Sequence, residues 1–394
     1  VFGKRLTGGR CPIGVDIGPG AVRMIQLEQT AAGLRAVAAA AADLPDIGPG
    51  DGQAYHDAVA DAIAAARAAG GFTTRDCVSA LPAAVVQTKN LRLPKMPVTE
   101  MQPAIEWEAQ ERLSIGDEPH SVDFFNSGEV RQGEEVRQEV ILLAAPTAFI
   151  EAHVAALARG GLRPVAIDAV PAALHRALDR RSVERPADAD DAARVILEVG
   201  DELANVLISR GGQVLFYKQI DIAGRRFDQT VAEHLRVTPS EARELRSLLE
   251  VARADAGPVQ SDPDRDPAVQ RAVFEALRPA VGELGREIAL CMRYYAVTFR
   301  GRRPEYAALV GDEAAQPWLP AMLADQAGVT VRPADPLRRV DTTAVRDRVP
   351  ALASAAAWAT VTGLAMRDDR KVIRRGVPAG ATRVTGASER RAAA

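Results

Sequence analysis

Cysteine, histidine and serine are the side chains whose spacing would signal a metal centre or a nucleophile, and none is spaced for either. Cys11, Cys77 and Cys291 lie far apart with no CxxC pair, which points to a reducing compartment rather than a disulfide framework or thiolate site. His56, His120, His153, His175 and His234 show no HxxxH or HxH spacing, so no metal is expected. No serine stands in GxSxG, so Ser–His–Asp hydrolysis is not supported. What remains are acidic residues beside glycines at predicted strand ends. Asp16 precedes Gly18-Pro19-Gly20, Glu198 precedes Gly200, and Gly311 follows an apolar strand. A separate basic stretch runs from Arg367 through Arg370, Lys371, Arg374 and Arg375 to Arg383, Arg390 and Arg391. It reads as a solvated disordered tail, or as an electrostatic tether to an anionic membrane.

The elements that carry these residues follow from periodicity. Ile13 to Leu27 alternates about the Gly18-Pro19-Gly20 turn and predicts a β-hairpin, with Gly20 free to take positive φ. A helix is expected over 54–69, stopped by Gly70-Gly71, and a buried strand over 77–81. The run Leu91-Arg92-Leu93-Pro94-Lys95-Met96-Pro97 reads as a proline-punctuated connector. Thr99 is the expected N-cap of a helix reaching about Leu113. Strands near 122–126 and 140–145, a helix over 147–159 and a strand over 165–168 would then build a compact α/β insert. Trp107, with Met101, Ile105 and Leu113, is expected to pack that insert's core, or else to border the groove beside it.

After a charged, Pro186-containing hinge over 179–192, the opening pattern returns. Strands are expected at 195–199, 204–209 and 214–220, which implies two halves of similar topology. Helices over 227–250, 273–299, 319–326 and 351–366, an acidic loop over 255–267, and strands at 306–310 and 329–332 complete the reading. With 394 residues and 47% apolar side chains, the chain is long enough for two or three domains. Its 49 basic and 52 acidic residues leave a net charge of -3, with no overall electrostatic reason to hold nucleic acid. Aromatic residues, at 4%, are too few for a row of base-stacking platforms, and no apolar run is long enough to span a membrane, so a soluble chain is expected.

Strand, Asp16, glycine turn, then the same again at Glu198-Val199-Gly200, with Gly311 after a late strand, resembles the actin-like ATPase superfamily. The run Leu91 to Met96, Ile105-Glu106-Trp107-Glu108, Ala144-Ala145-Pro146, and Gly161-Leu162 leading to Val165-Ala166-Ile167-Asp168 narrow the resemblance to the PilM family of type IV pilus assembly proteins. The resemblance implies an α/β, actin-like (ribonuclease H-like) duplicated two-domain fold with an FtsA/PilM-type inserted subdomain. Its divisions would be an N-terminal segment 1–12, a first domain 13–88, an insert 89–165, a return and hinge 166–190, a second domain 191–366 with a helical insert about 225–300, and the tail 367–394.

It also implies a site for ATP with Mg, in which two turns offer backbone N–H groups to phosphates and a strand-end acid organises the metal. The corresponding residues are Asp16, Gly18, Gly20, Glu198, Gly200 and Gly311. Several positions depart from that pattern. Pro19 removes an N–H and a hydroxyl. Asp201 and Glu202 follow Gly200 where small residues and hydroxyls belong. Gly311 is followed by Asp312-Glu313, Arg243 reverses the sign of a ribose contact, and the acid two residues after Asp168 is missing. No catalytic residue is assigned, and a weak or lost nucleotide site in a binding scaffold is expected. The implied partner is a PilN-like bitopic membrane protein whose cytoplasmic segment enters a groove near Leu93, Met96, Ile105 and Trp107, with the chain cytoplasmic and peripheral at the inner membrane. A working ATPase that regulates pilus assembly and an FtsA-like division tether are the alternatives.

Overall fold

In the computed structural model, the described residues are 9–113, 115, 118–178, 193–249, 266–301, 303–346 and 354–367. The expected hinge over 179–192, most of the acidic loop over 255–267, and the tail beyond Arg367 lie outside them.

The chain opens with β1 (Gly9–Ile17), β2 (Ala21–Thr30) and β3 (Gly33–Asp43), an antiparallel meander in which Asp16 stands opposite Arg23. Helix α1 (Gln53–Gly70) follows and stops where Gly71 adopts the left-handed conformation at φ 69°. Strand β4 (Asp76–Ala80) then returns parallel to β1. Apolar residues at 59, 63 and 66 fall on one face of α1 and fill the layer between it and the sheet.

The next segment leaves this sheet. Residues Gln87–Pro94, which take in Leu91 to Pro94 of the expected connector, form β5. Its prolines hid an alternation in which Leu91 and Leu93 face inward while Arg92 and Pro94 face out. Helix α2 (Val98–Arg112) is preceded by Pro97 at the N-cap, so Thr99 lies inside the helix rather than capping it. Strands β6 (His120–Gln132) and β7 (Glu135–Pro146) complete a three-stranded sheet in the order β5-β7-β6. One face packs Leu91, Leu93, Val140 and Leu142 against Met101, Ile105 and Ala109 of α2.

Helix α3 (Thr147–Arg159) and strand β8 (Arg163–Asp168) go back to the first layer, with β8 pairing in parallel with β4. Their pairing therefore sets them with the six-stranded sheet rather than with the insert, to which the sequence reading had given 89–165. Helix α4 (Val170–Leu178) ends this part of the chain.

The second half repeats the plan. Strands β9 (Arg194–Val199), β10 (Ala204–Arg210) and β11 (Gln213–Ile220) form another antiparallel meander. Helices α5 (Gly224–Leu235), α6 (Pro239–Ser247) and α7 (Pro267–Thr298) precede β12 (Tyr306–Val310), helix α8 (Leu319–Ala327) and β13 (Thr330–Pro333). With β14 (Val340–Asp341) at the edge of the first, the sheet orders β14-β3-β2-β1-β4-β8 and β11-β10-β9-β12-β13 share a meander followed by two parallel strands. The insert's other face rests on this half. Asn90 Nδ2 donates to Tyr217 O at 2.8 Å, and Ile141 packs with Tyr217 and Leu207.

The end of the described chain crosses back. Strand β14 (Val340–Asp341) pairs with β3, and helix α9 (Ala359–Ala365) lies on β1 and β2. A Cβ on Gly14 would sit 2.2 Å from Val361 O, so a glycine is what lets α9 approach β1 this closely. Residues 354–358, expected to be part of one helix over 351–366, include a short 3-10 turn before α9. No helix among the described residues is long and apolar enough to cross a membrane.

Candidate functional site

The two meanders present their first turns to one another across a cleft. Asp16, Gly18, Glu198, Gly200 and Gly311 all line it, with Pro82, Tyr55 of α1, Val170 and Thr360 of α9. Gly20 does not. It lies on the outer side of its turn, where its carbonyl accepts from Leu44 N at 3.0 Å, and its φ is not positive, contrary to expectation.

The duplication carries a residue pattern that the sequence reading missed. Each strand-end acid faces a polar residue across its hairpin, Asp16 opposite Arg23 and Glu198 opposite Asn205. The identical spacing in the two halves was the available signal.

The acids are handled differently. Glu198 accepts from Thr360 Oγ1 at 2.5 Å and from Asn205 Nδ2 at 2.7 Å, and Asn205 Oδ1 in turn accepts from the Tyr217 hydroxyl at 2.8 Å. Burial raises the Glu198 carboxyl, against those donors. Asp16 is pushed up to about 7, chiefly by burial, with Arg23 opposing and Glu198 and Asp312 adding to the rise. Arg23 reaches over the cleft to Asp312 Oδ1 at 2.5 Å and so joins the halves.

Asp201 and Glu202, expected to oppose phosphate, are turned to cations. Arg225 lies 3.4 Å from Asp201 and 3.1 Å from Glu202, and Arg243 binds Asp201 at 2.9 Å. Arg243, expected only as a sign reversal, thus belongs to a network. Arg246, 1% exposed, forks onto Glu313 at 2.7 and 3.1 Å and donates to Asp228 at 2.7 Å, while Arg243 takes the other Asp228 oxygen. Its guanidinium lies 5.7 Å from the Phe227 ring centroid and 5.9 Å from that of Trp318.

These residues do not fit ATP with Mg. Gly18 N donates to Ala21 O at 3.0 Å, Gly200 N to Leu203 O at 3.1 Å, and Gly311 N to Ala356 O at 3.1 Å, so the three glycine N–H groups are satisfied within the chain. Pro19 has none to offer. The cavity measures about 110 Å³, against roughly 300 Å³ or more for small-molecule sites. Glu313 Oε1 lies 2.5 Å from where a Cβ on Gly224 would stand, so α5 packs closely on the loop after β12. Asp168 is drawn away from the cleft. Arg176 and Arg367 both pair with it, and Val170 lines the cavity at the position of the missing second acid.

The groove candidates separate. Leu93 and Ile105, at 4% and 0% exposure, are buried in the insert's own core and are closed to a partner. Met96 packs on that core from its edge. Trp107 is 61% exposed, because Met101, Ile105 and Ala109 take the inward face of α2 and leave it on the opposite one.

Among known proteins, the model of the family described as "Type IV pilus assembly protein PilM" matches residues 14–254. The chain belongs to the PilM family. A chain of the PilM-PilN type IV pilus biogenesis complex is 23% identical, covers 90% of this chain over 98% of its own length, and superposes with a TM-score of 0.71. The ethanolamine utilization protein EutJ from Carboxydothermus hydrogenoformans is 13% identical, covers 92% of this chain over 91% of its own, and reaches 0.52. At these identities the likeness is one of fold, and that fold is the expected actin-like one, with its two duplicated halves. No curated protein matches the sequence. The PilM match takes in both hairpin turns and the insert, and ends before Gly311 and Asp312.

Proposed function

We propose that this PilM-family chain is a cytoplasmic scaffold of the inner-membrane platform of type IV pili or a related type II secretion machine, held at the membrane by the cytoplasmic segment of a PilN-like bitopic protein. The likeness of nearly the whole fold to a chain of the PilM-PilN complex supports the partner. The carrying observation for a scaffold, rather than an ATPase, is that the cleft between the halves is bridged by the chain's own Arg23 and Asp312 and walled by Asp16, Glu198, Asp201 and Glu202. The glycine N–H groups of the turns around it are already bonded within the chain, so they have no donor left to offer a phosphate.

The test is calorimetric titration of a synthetic peptide carrying the partner's cytoplasmic segment into the full chain, with and without Mg-ATP. The expected result is saturable binding with the same affinity in both. Binding that requires Mg-ATP contradicts the scaffold reading, and no binding in either contradicts the partner.

A further inference from the structure

Two exposed helix faces carry opposite charge around an apolar centre. On α7, Arg286, Leu290, Arg293 and Val297 recur at spacings of four, three and four, and so lie along one stripe of the helix. Leu290 keeps 43% and Val297 74% of its surface in water, although both are aliphatic. Arg286 and Arg293 are exposed and pair with no acid among the described residues, whereas the nearby Glu287 is taken by Lys218 at 2.6 Å. Arg300, just past the helix, is exposed and likewise has no acid among them.

Helix α2 shows the converse. Its exposed stripe runs through Glu100, Pro103, Trp107 and Glu111. Glu106 accepts from Gln102 and Glu108 is paired with Arg112, but Glu100 and Glu111 have no cation among the described residues. The exposed indole therefore sits between two free carboxylates. Such a face suits aliphatic and guanidinium side chains, which can lie over the ring while the carboxylates accept the guanidinium N–H groups. Both stripes, Glu100 to Glu111 and Arg286 to Val297, cover the same number of residues, about 16 Å of helix.

Within one chain the two faces cannot meet. Helix α2 packs on one side of the insert's sheet, through Met101, Ile105 and Ala109 against Leu91, Leu93, Val140 and Leu142. The other side receives the end of α7. There the Tyr294 hydroxyl donates to Glu139, and Arg92, 3.0 Å from the same carboxylate, donates to Thr298 Oγ1 at 3.3 Å. The sheet thus stands between the two helices, and Trp107 faces away from it. Faces held in this way can complement one another only between two chains, and because they differ, the contact is heterologous.

We infer that this chain associates head to tail with a second copy of itself, the α7 stripe of one copy seated on the Trp107 face of the next. Leu290 and Val297 cover the indole, while Arg286 and Arg293 meet Glu100 and Glu111. Each end copy keeps one face unused, so assembly continues past a dimer. Neither face lines the cleft, so the association depends neither on what the cleft holds nor on the proposed membrane partner.

Sedimentation velocity of the full chain over rising concentration tests it. One helix pair buries less than the roughly 1,200 Å² of a stable interface, so association is expected at about 100 µM and above. It should weaken about tenfold or more between about 0.1 M and 1 M salt, as the screening length falls from about 10 Å to about 3 Å. Two surface variants complete the test, Arg286→Glu with Arg293→Glu and Glu100→Lys with Glu111→Lys. Each alone is expected to sediment as a monomer, because its two faces then carry like charge. An equimolar mixture should associate again, because each variant complements the other. An unaltered chain that stays monomeric at every concentration overturns the inference, as do association that survives either charge reversal and a mixture that stays monomeric. A monomeric chain that binds phosphatidylglycerol vesicles through Arg286 and Arg293 overturns it in favour of a lipid surface.

Discussion

The Arg23 guanidinium and the Asp312 carboxylate meet at 2.5 Å although they are 289 positions apart, and the pair ties the first hairpin to the loop after β12. Arg23 also stands opposite Asp16, so one cation serves an acid from each half. Asp312 keeps 38% of its side chain in water, so the pair contributes only about 1 kcal/mol. A double-mutant cycle with Arg23→Ala and Asp312→Ala, read by urea unfolding, should give a coupling near that figure and weaker at high salt. A zero coupling would show that this pair does not help to hold the two halves together.

Asp16 sets an unusual pH response. Its carboxyl holds a proton up to about 7 when folded, against about 3.9 for an unperturbed aspartate. The folded state thus binds more protons across that window, and the contribution of Asp16 to stability falls as pH rises through it. Asp16→Asn should remove this slope and stabilise the protein at pH 8 by on the order of 2 kcal/mol, allowing for lost attraction to Arg23. Urea midpoints at pH 5 and pH 8 check it. Destabilisation at pH 8 would mean that the ionised carboxylate is needed there.

His153 tilts stability the other way. Burial lowers it to about 4, with the neighbouring His56 acting in the same sense, and its Nε2 lies 3.1 Å from Ser79 Oγ in a closed interior. Below the unfolded value of about 6.5 the unfolded chain binds the extra proton, so stability is lost as pH falls from 6.5 toward 4. The loss should approach about 1.4 kcal/mol per pH unit for this one group. His153→Gln should flatten it in thermal melts between pH 7 and pH 5, and an undiminished slope in that variant would assign the acid response elsewhere.

Arg246 is the most costly single cation to remove. It is buried between Asp228 and Glu313, and Arg246→Met takes this cation from Glu313 and leaves Asp228 with Arg243, which should cost about 3–5 kcal/mol. Adding Glu313→Gln should recover a good part of that loss. Equal stabilities of the single and double variants would show that Glu313 does not depend on Arg246.

Gly311 is required by its backbone. Its φ is 95°, and a Cβ there would lie 2.4 Å from Val199 O of the neighbouring strand β9. Gly311→Ala should lose on the order of 2 kcal/mol. A neutral substitution would show that the loop after β12 can move away from β9.

The duplicated core was legible because its signals are local. Asp16-Ile17-Gly18 and Glu198-Val199-Gly200 end strands whose alternation and turns are written within a few residues, and helices α1 and α3 are bounded by glycine pairs. Strand β5 was not legible, since Pro94 and Pro97 read as loop while its pairing with β7 lies about fifty positions on. Trp107 misled because residue type argued for burial where the spacing of Met101, Ile105 and Ala109 decided the inward face. The excess of acids around the cleft was visible in the sequence. The cations that answer them were not, because Arg23 meets Asp312 and Arg246 meets Glu313 only once β12 has been laid parallel to β9.

The chain's own charges occupy the cleft in place of a nucleotide. Calorimetric titration of Mg-ATP into the full chain tests it most directly. No saturable heat is expected up to millimolar ligand, with unchanged thermal stability. A micromolar affinity that disappears in Asp16→Ala would contradict it.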